Sequence, residues 1–236
     1  MIRLTAAIAS VFLLLPAAHA ATITYNGAGA PYAYKSKTET SGGVSVTTSV
    51  GTWSNSGAGQ GSVSEAGGRS IWIHEGSWGV AVQNYEERRR RCWYQGWYCY
   101  SSYSDTHQID GKGVKEAVIF SFDEQVSLDS LTFNTRYLHN RDDFVLFAGN
   151  SVNDLTSFSL FRNAKGAANS AGTFALGIVG KVFAIGGYDA NDAFKLTALN
   201  YSQWSTPTPT PVPGALPLML TALGGFGFMR RRKSAA

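Results

Sequence analysis

The sequence predicts an all-β fold, a single β-sandwich or jelly-roll-like domain. Three observations carry that expectation. Apolar and polar residues alternate with a period of two in the patterned segments, as they do on a half-buried strand. These segments are short, about ten in number, with Gly, Asn, Asp and Ser between them. No segment sustains a helical period; the one short-helix candidate is Val152 to Thr156, with Ser151 or Asn153 as its cap.

In chain order, Val44 to Val50 alternates and is rich in β-branched residues, which suit a pleated surface. Gly51 to Gly68 is rich in Gly and Ser and reads as a surface loop. Ile71 to Ile73 and Val80 to Val82 are short apolar strands. Ala117 to Phe122, Leu131 to Tyr137, Phe144 to Phe147 and Phe158 to Leu160 follow. Phe174 to Leu176, Val182 to Ile185 and Phe194 to Leu199 complete the set. No useful internal repeat interrupts them, so one domain spans residues 21–204, long enough for a real core.

Both flanks differ from this domain. Residues 1–20 have Arg3, then an apolar run from Ala6 to Leu15, then Ala18-His19-Ala20. A positive start, a short apolar stretch and a small-x-small end define a secretory signal peptide, with cleavage between Ala20 and Ala21. Pro16 and the shortness of the run argue against a permanent anchor. Residues 205–213 form a linker in which Pro207, Pro209, Pro211 and Pro213 favour stiff, extended chain. Ala215 to Met229 carries no charge and would make a helix of about 22 Å, short of the roughly 20 residues a full span needs. Gly224, Gly225 and Gly227 weaken it further. Arg230, Arg231, Arg232 and Lys233 then hold their end on the cytoplasmic side.

The formal charge of +4 belongs to these flanks. Arg3 and the basic tail hold five of twenty cations, so fifteen face sixteen acids in the exported part, a net of −1. The basic balance therefore does not indicate a nucleic-acid partner.

The tail resembles the PEP-CTERM family of sorting signals. The matching features are Val212-Pro213, the Leu216-Pro217-Leu218 start of the apolar run, its glycines, and the cluster from Arg230 to Lys233. Gly214 stands where the common motif has Glu, which makes the tail more similar to the Val-Pro-Leu-Pro-Ala variant. The resemblance covers about the last 25 residues and implies a Gram-negative bacterium that makes extracellular polysaccharide. It also implies an exosortase-like partner that cleaves near Val212 to Ala215. The precursor would be anchored transiently in the inner membrane, then reach the cell surface or the extracellular, biofilm-type matrix. The same residues also fit an ordinary tail anchor. Two internal stretches resemble the layout of other proteins with such tails. These are His107 to Asp110 leading into the following strands, and Phe183 to Leu196 as a final hairpin; neither implies an activity.

Cys92 and Cys99 are the only cysteines, and an exported pair fits a disulfide closing a small loop, or two free thiols. Their number argues against a zinc site. Around them lies the most unusual internal stretch. Arg88, Arg89, Arg90 and Arg91 precede Trp93 and Trp97 among several Tyr residues. Guanidinium groups pair with carboxylates and aromatic faces stack on sugars, so this stretch fits contact with acidic polysaccharide. A protruding hairpin neutralised by Glu86 and Glu87 is the plainer reading of the same residues, and nucleic acid the weakest.

His74 with Glu75, His107 with Asp110, and His139 with Asp142 and Asp143 lack a metal-ligand spacing and read as turn or sheet-surface groups. Glu65, Glu75 and Glu116 do not select a catalytic carboxylate pair. Asp189, Asn191 and Asp192 offer oxygens for Ca²⁺ or, equally, a strand-connecting turn. The expectation is an exported, non-enzymatic protein that binds glycan, with a polysaccharide hydrolase or lyase and a purely structural matrix protein as alternatives.

Overall fold

The computed structural model describes residues 20–27, 32–66, 71–84, 91–94, 97–100 and 108–204, with the backbone alone for 32, 91–94 and 97–100. The signal-peptide stretch through His19, His107, the Arg88 to Arg90 run and everything from Ser205 onward lie outside the described residues. Among the described residues no helix is long and apolar enough to cross a membrane.

The described residues form an all-β, antiparallel fold, as the alternation requires. Among the described residues twelve strands join one continuous sheet, which folds over on itself like a sandwich. The fold-over is made by β11 (Glu116–Phe133), an 18-residue strand. Its first part pairs with β4 (Val44–Gly57), from Glu116 opposite Thr52 to Phe122 opposite Val46. Its last part pairs with β16 (Leu196–Gln203), from Val126 opposite Gln203 onward. Along its other edge β14 (Thr173–Gly187) follows it throughout, with the register breaking between Ser121 and Val126. The partner change and the register break fall together, so β11 and β14 bend there as one ribbon.

The ribbon divides the sheet into two arms. The first holds β4 with its neighbours β3 (Ser36–Ser41) and β5 (Gln60–Glu65). It also holds β12 (Phe144–Gly149) and the edge strand β13 (Phe158–Phe161). The second holds β16 with β1 (Ala20–Thr24), β7 (Gly79–Asn84), β6 (Ile71–Gly76) and β2 (Tyr32–Tyr34). Alternate residues of both arms meet in one core that includes Val118, Phe120, Phe122, Leu128, Leu131 and Phe133. A smaller core covers the other face of the first arm, around Trp53, Ile119, Phe147 and Ala184.

Because β11 doubles back, both of its ends reach the same rim. Phe133 meets Phe144 at 5.1 Å, and Phe144 pairs with Gly187, next to Gly186, which lies opposite Ala117. The described ends of the chain lie at the bend instead. Ala20 pairs with Ser202, and the Trp204 N–H donates to the Gln125 carbonyl at 3.2 Å.

Several expectations change in detail. The Gly/Ser-rich stretch from Gly51 is a hairpin of β4 and β5, not a surface loop. Its polar residues alternate with Trp53 and Val63, both buried in the smaller core. Two pairs of expected strands are each one long strand, because the bend of the ribbon interrupts their pattern without ending their pairing. Leu131 to Tyr137 stops at Phe133, where Asn134 opens a turn by accepting the Arg136 N–H. The region from Phe183 to Leu196 is not a hairpin, since β11 lies between β14 and β16. Instead β15 (Ala193–Phe194) pairs with β10 (Ile109–Asp110), joining the two stretches that resemble a common layout. Val152–Asp154 is a 3₁₀ turn capped by Ser151, and α1 (Ala164–Ala167) is a single short turn.

Candidate functional site

The β4–β5 hairpin overshoots the core at the rim. The core face of β4 is apolar at Val44, Val46 and Val50, then polar at Thr52 and Ser54. Cross-strand pairing sets Ser64 opposite Thr52 and Ser62 opposite Ser54, whose hydroxyls bond at 2.8 Å. Beyond the buried region these side chains no longer face another sheet. With Asn55, Trp53, and the Gly113, Val114 and Lys115 segment that leads into β11 (Glu116–Phe133), they line a cleft of about 460 Å³.

Lys115 supplies the charge of the cleft. Its ammonium lies 4.3 Å from the Trp53 ring centre and 5.0 Å from that of Tyr188, and donates to the Tyr188 carbonyl. The two rings stack at 6.3 Å, and the Trp53 indole N–H donates to the Gly187 carbonyl at 3.2 Å. Gly186 permits this packing, because a Cβ there would sit 2.5 Å from the indole nitrogen. Arg162 lies 5.9 Å from the Tyr188 ring centre and pairs with Asp143 at 3.2 Å. An ammonium has three donors, so Lys115 keeps donors for a ligand beyond its bond to Tyr188. The cleft thus offers neutral hydroxyls, one amide and one cation held by aromatic rings. That chemistry suits a hydroxyl-rich ligand bearing a carboxylate.

The rim as a whole is cationic. Lys112, Arg136, Arg141, Arg162 and Lys165 are exposed along it. Most of its acids are turned inward. Asp142 accepts the His139 N–H and also lies 3.5 Å from the His139 imidazole. Asp192 accepts the N–H groups of Asp143 and Asp189, and Asp143 accepts that of Asn163. Burial raises the Asp142 and Asp192 carboxyls above the ordinary range, and these N–H bonds only partly offset it. Asp189, Asn191 and Asp192 therefore form a connecting turn. Among the described residues no group of three or more His, Cys, Asp or Glu converges to hold a metal ion.

The considered carboxylates do not meet in an open site. Glu65 is exposed, whereas Glu116 is fully buried and its carboxylate lies 3.5 Å from the Asp110 N–H. Glu75 is buried, accepting from Tyr34 at 2.7 Å and from Lys37 at 2.9 Å; Lys37 also pairs with Glu39 at 2.9 Å. Burial disfavours the Lys37 ammonium, but the two carboxylates outweigh it and raise its pKa.

Of the Arg and aromatic stretch, the structure describes the hairpin of β8 (Arg91–Tyr94) and β9 (Trp97–Tyr100). It sets Cys92 opposite Cys99 and Trp93 opposite Tyr98. The cleft residues were not singled out from sequence, because their Gly and Ser content read as loop. The alternation of Trp53 and Val63 with hydroxyl residues is the signal that identifies them. No protein-family model, curated protein or solved structure matches the chain.

Proposed function

We propose that the chain is an exported cell-surface or extracellular-matrix protein whose β-domain binds acidic polysaccharide without cleaving it. A signal peptide ending at Ala20 would direct export. A tail with Val212, Pro213 and Gly214 before Arg230, Arg231 and Arg232 would serve as a temporary inner-membrane anchor, removed by an exosortase-like enzyme. The apolar tail segment would be a short helix while the anchor lasts.

One observation carries the binding part. The rim cleft combines Ser, Thr and Asn side chains with the Lys115 ammonium, and Glu75 and Glu116, the buried carboxylates considered, do not open into it. Hydroxyl groups suit sugar hydroxyls, and Lys115 suits a uronate carboxylate. Affinity electrophoresis of residues 21–204 through gels containing polygalacturonate or neutral glucan tests this. Retardation by the acidic polymer, with its chain length unchanged after incubation, is the expected result. Shortening of the polymer would make the protein an enzyme, and no retardation would leave a structural matrix role.

A further inference from the structure

We propose a second acidic-sugar contact at the same rim, built from Trp78 and Arg136; it extends the glycan-binding reading. Trp78 occupies the turn between β6 (Ile71–Gly76) and β7 (Gly79–Asn84) and is 44% exposed. An indole left half in water forgoes burial worth about 25 cal/mol per Å². The only other large hydrophobic exposed among the described residues is Trp204, at the bend.

Trp78 is nevertheless held in place. Its carbonyl accepts from the Asn134 amide at 2.9 Å, and the Tyr137 ring meets it edge-on at 6.2 Å. The turn is pressed against β16 (Leu196–Gln203). Gly79 has φ +110°, and a Cβ there would lie 2.3 Å from the Leu196 carbonyl oxygen. An exposed aromatic fixed in this way is preorganised for stacking and loses little freedom when a ligand arrives.

The charges around it set the ligand class. The Arg136 guanidinium lies 4.8 Å from the Trp78 ring centre, and Lys195 lies 4.7 Å from that of Tyr137. Among the described residues no carboxylate lies within ion-pair distance of Arg136. A guanidinium stacked on an indole keeps its in-plane donors, and these match a carboxylate in two-point contact. The ligand is therefore a uronic-acid unit, its ring against Trp78 and its carboxylate on Arg136.

The fold links the two contacts. Lys115 immediately precedes β11 (Glu116–Phe133) and Asn134 immediately follows it, and both ends of that strand share the rim. A polymer crossing the rim would engage both contacts, whereas a trisaccharide held in the cleft would engage one. Two linked contacts strengthen binding without altering either alone.

The test uses the purified full chain in detergent, wild type and the variants Trp78→Ala, Arg136→Gln and Lys115→Ala. Probes are polygalacturonate, trigalacturonate and single-stranded DNA, with circular dichroism as the check on folding. Trp78→Ala and Arg136→Gln should each weaken polymer binding about tenfold, the loss of one stacked or charged contact. Trigalacturonate binding should be reduced in Lys115→Ala, and the advantage of the polymer over trigalacturonate should shrink in Trp78→Ala and Arg136→Gln. Polymer binding unchanged in both Trp78 and Arg136 variants, but lost in Lys115→Ala, would overturn this contact and keep the cleft. Failure of the wild type to bind either uronate would overturn the glycan reading itself. Binding of DNA alone, reduced in Trp78→Ala, would replace the uronate with nucleic acid.

Discussion

The rings of Phe133 and Phe144 meet at 5.1 Å although they belong to opposite arms of the folded sheet. Phe144 also contacts Phe161, Phe174 and Phe194, so it closes the rim end of the core. Phe144→Ala should destabilise the domain by about 3–5 kcal/mol through the cavity it leaves. Urea unfolding measures this, and a loss below about 1 kcal/mol would show that the arms do not depend on this closure.

Lys115 is half-buried and rests on aromatic rings, so its removal should touch binding more than folding. Lys115→Ala should cost less than about 1 kcal/mol of stability. Affinity for polygalacturonate should fall, and the difference from wild type should shrink as salt screens the lost charge. Isothermal titration at low and high salt measures both effects. An equal loss at every salt concentration would indicate a packing role for Lys115.

Asp142 and Asp192 give the rim turns a defined pH response. Both side chains are almost wholly buried, and burial holds both pKa values up. A raised folded pKa means that the fold favours the protonated form. The resulting stability is complete below the unfolded carboxylate pKa of about 3.9 and is lost as pH rises through the raised folded value. Asp192→Asn removes the Asp192 share of this dependence and leaves that of Asp142. The amide has one acceptor oxygen where Asp192 uses two, so the variant should be weaker throughout by about 1–3 kcal/mol. On that offset, the stability of wild type relative to variant should fall as pH rises from about 3 to about 7. Chemical denaturation at stepped pH measures the trend, and a rise over that window would contradict it.

Cys92 and Cys99 are register partners, and directly opposed strand residues have Cα spacings of about 4.5 or 5.5 Å, both inside the disulfide range. On the proposed export both thiols should resist alkylation until reduced, as mass spectrometry would show. Closing so short a loop stabilises by about 2–3 kcal/mol in the chain-entropy picture. Alkylation without reductant would mean two free thiols.

For the tail, an epitope placed after Ala236 should vanish from the surface-exposed protein, while one placed after Ala21 stays. Immunoblotting of intact cells and membrane fractions separates the two. Persistence of the C-terminal epitope at the surface would make the tail a lasting anchor.

The all-β class was legible because alternation records burial one residue at a time, and Val44 to Val50 shows it plainly. The bend was not legible. Between Phe122 and Val126 the strand changes partner while its neighbour β14 continues, and that information lies in β4, β14 and β16 rather than in β11. The cleft was hidden for a different reason. Ser54, Asn55 and Ser62 resemble loop residues, and only their pairing across the hairpin makes them strand. Trp78 was not singled out, because only the placing of the turn between β6 and β7 shows that its ring is exposed.

The ribbon that doubles back also fixes where handles belong. Ala20 and Trp204 leave the domain at the bend, beside the exposed acids Asp123 and Glu124, while the cationic groups gather at the opposite rim. A fusion partner or surface linkage joined at either described end should leave the rim uncovered. An insertion between Asn134 and Asp143 would strike it directly. On the proposed function this is an arrangement for display: the described ends and the proposed binding edge lie at opposite limits of the folded strand.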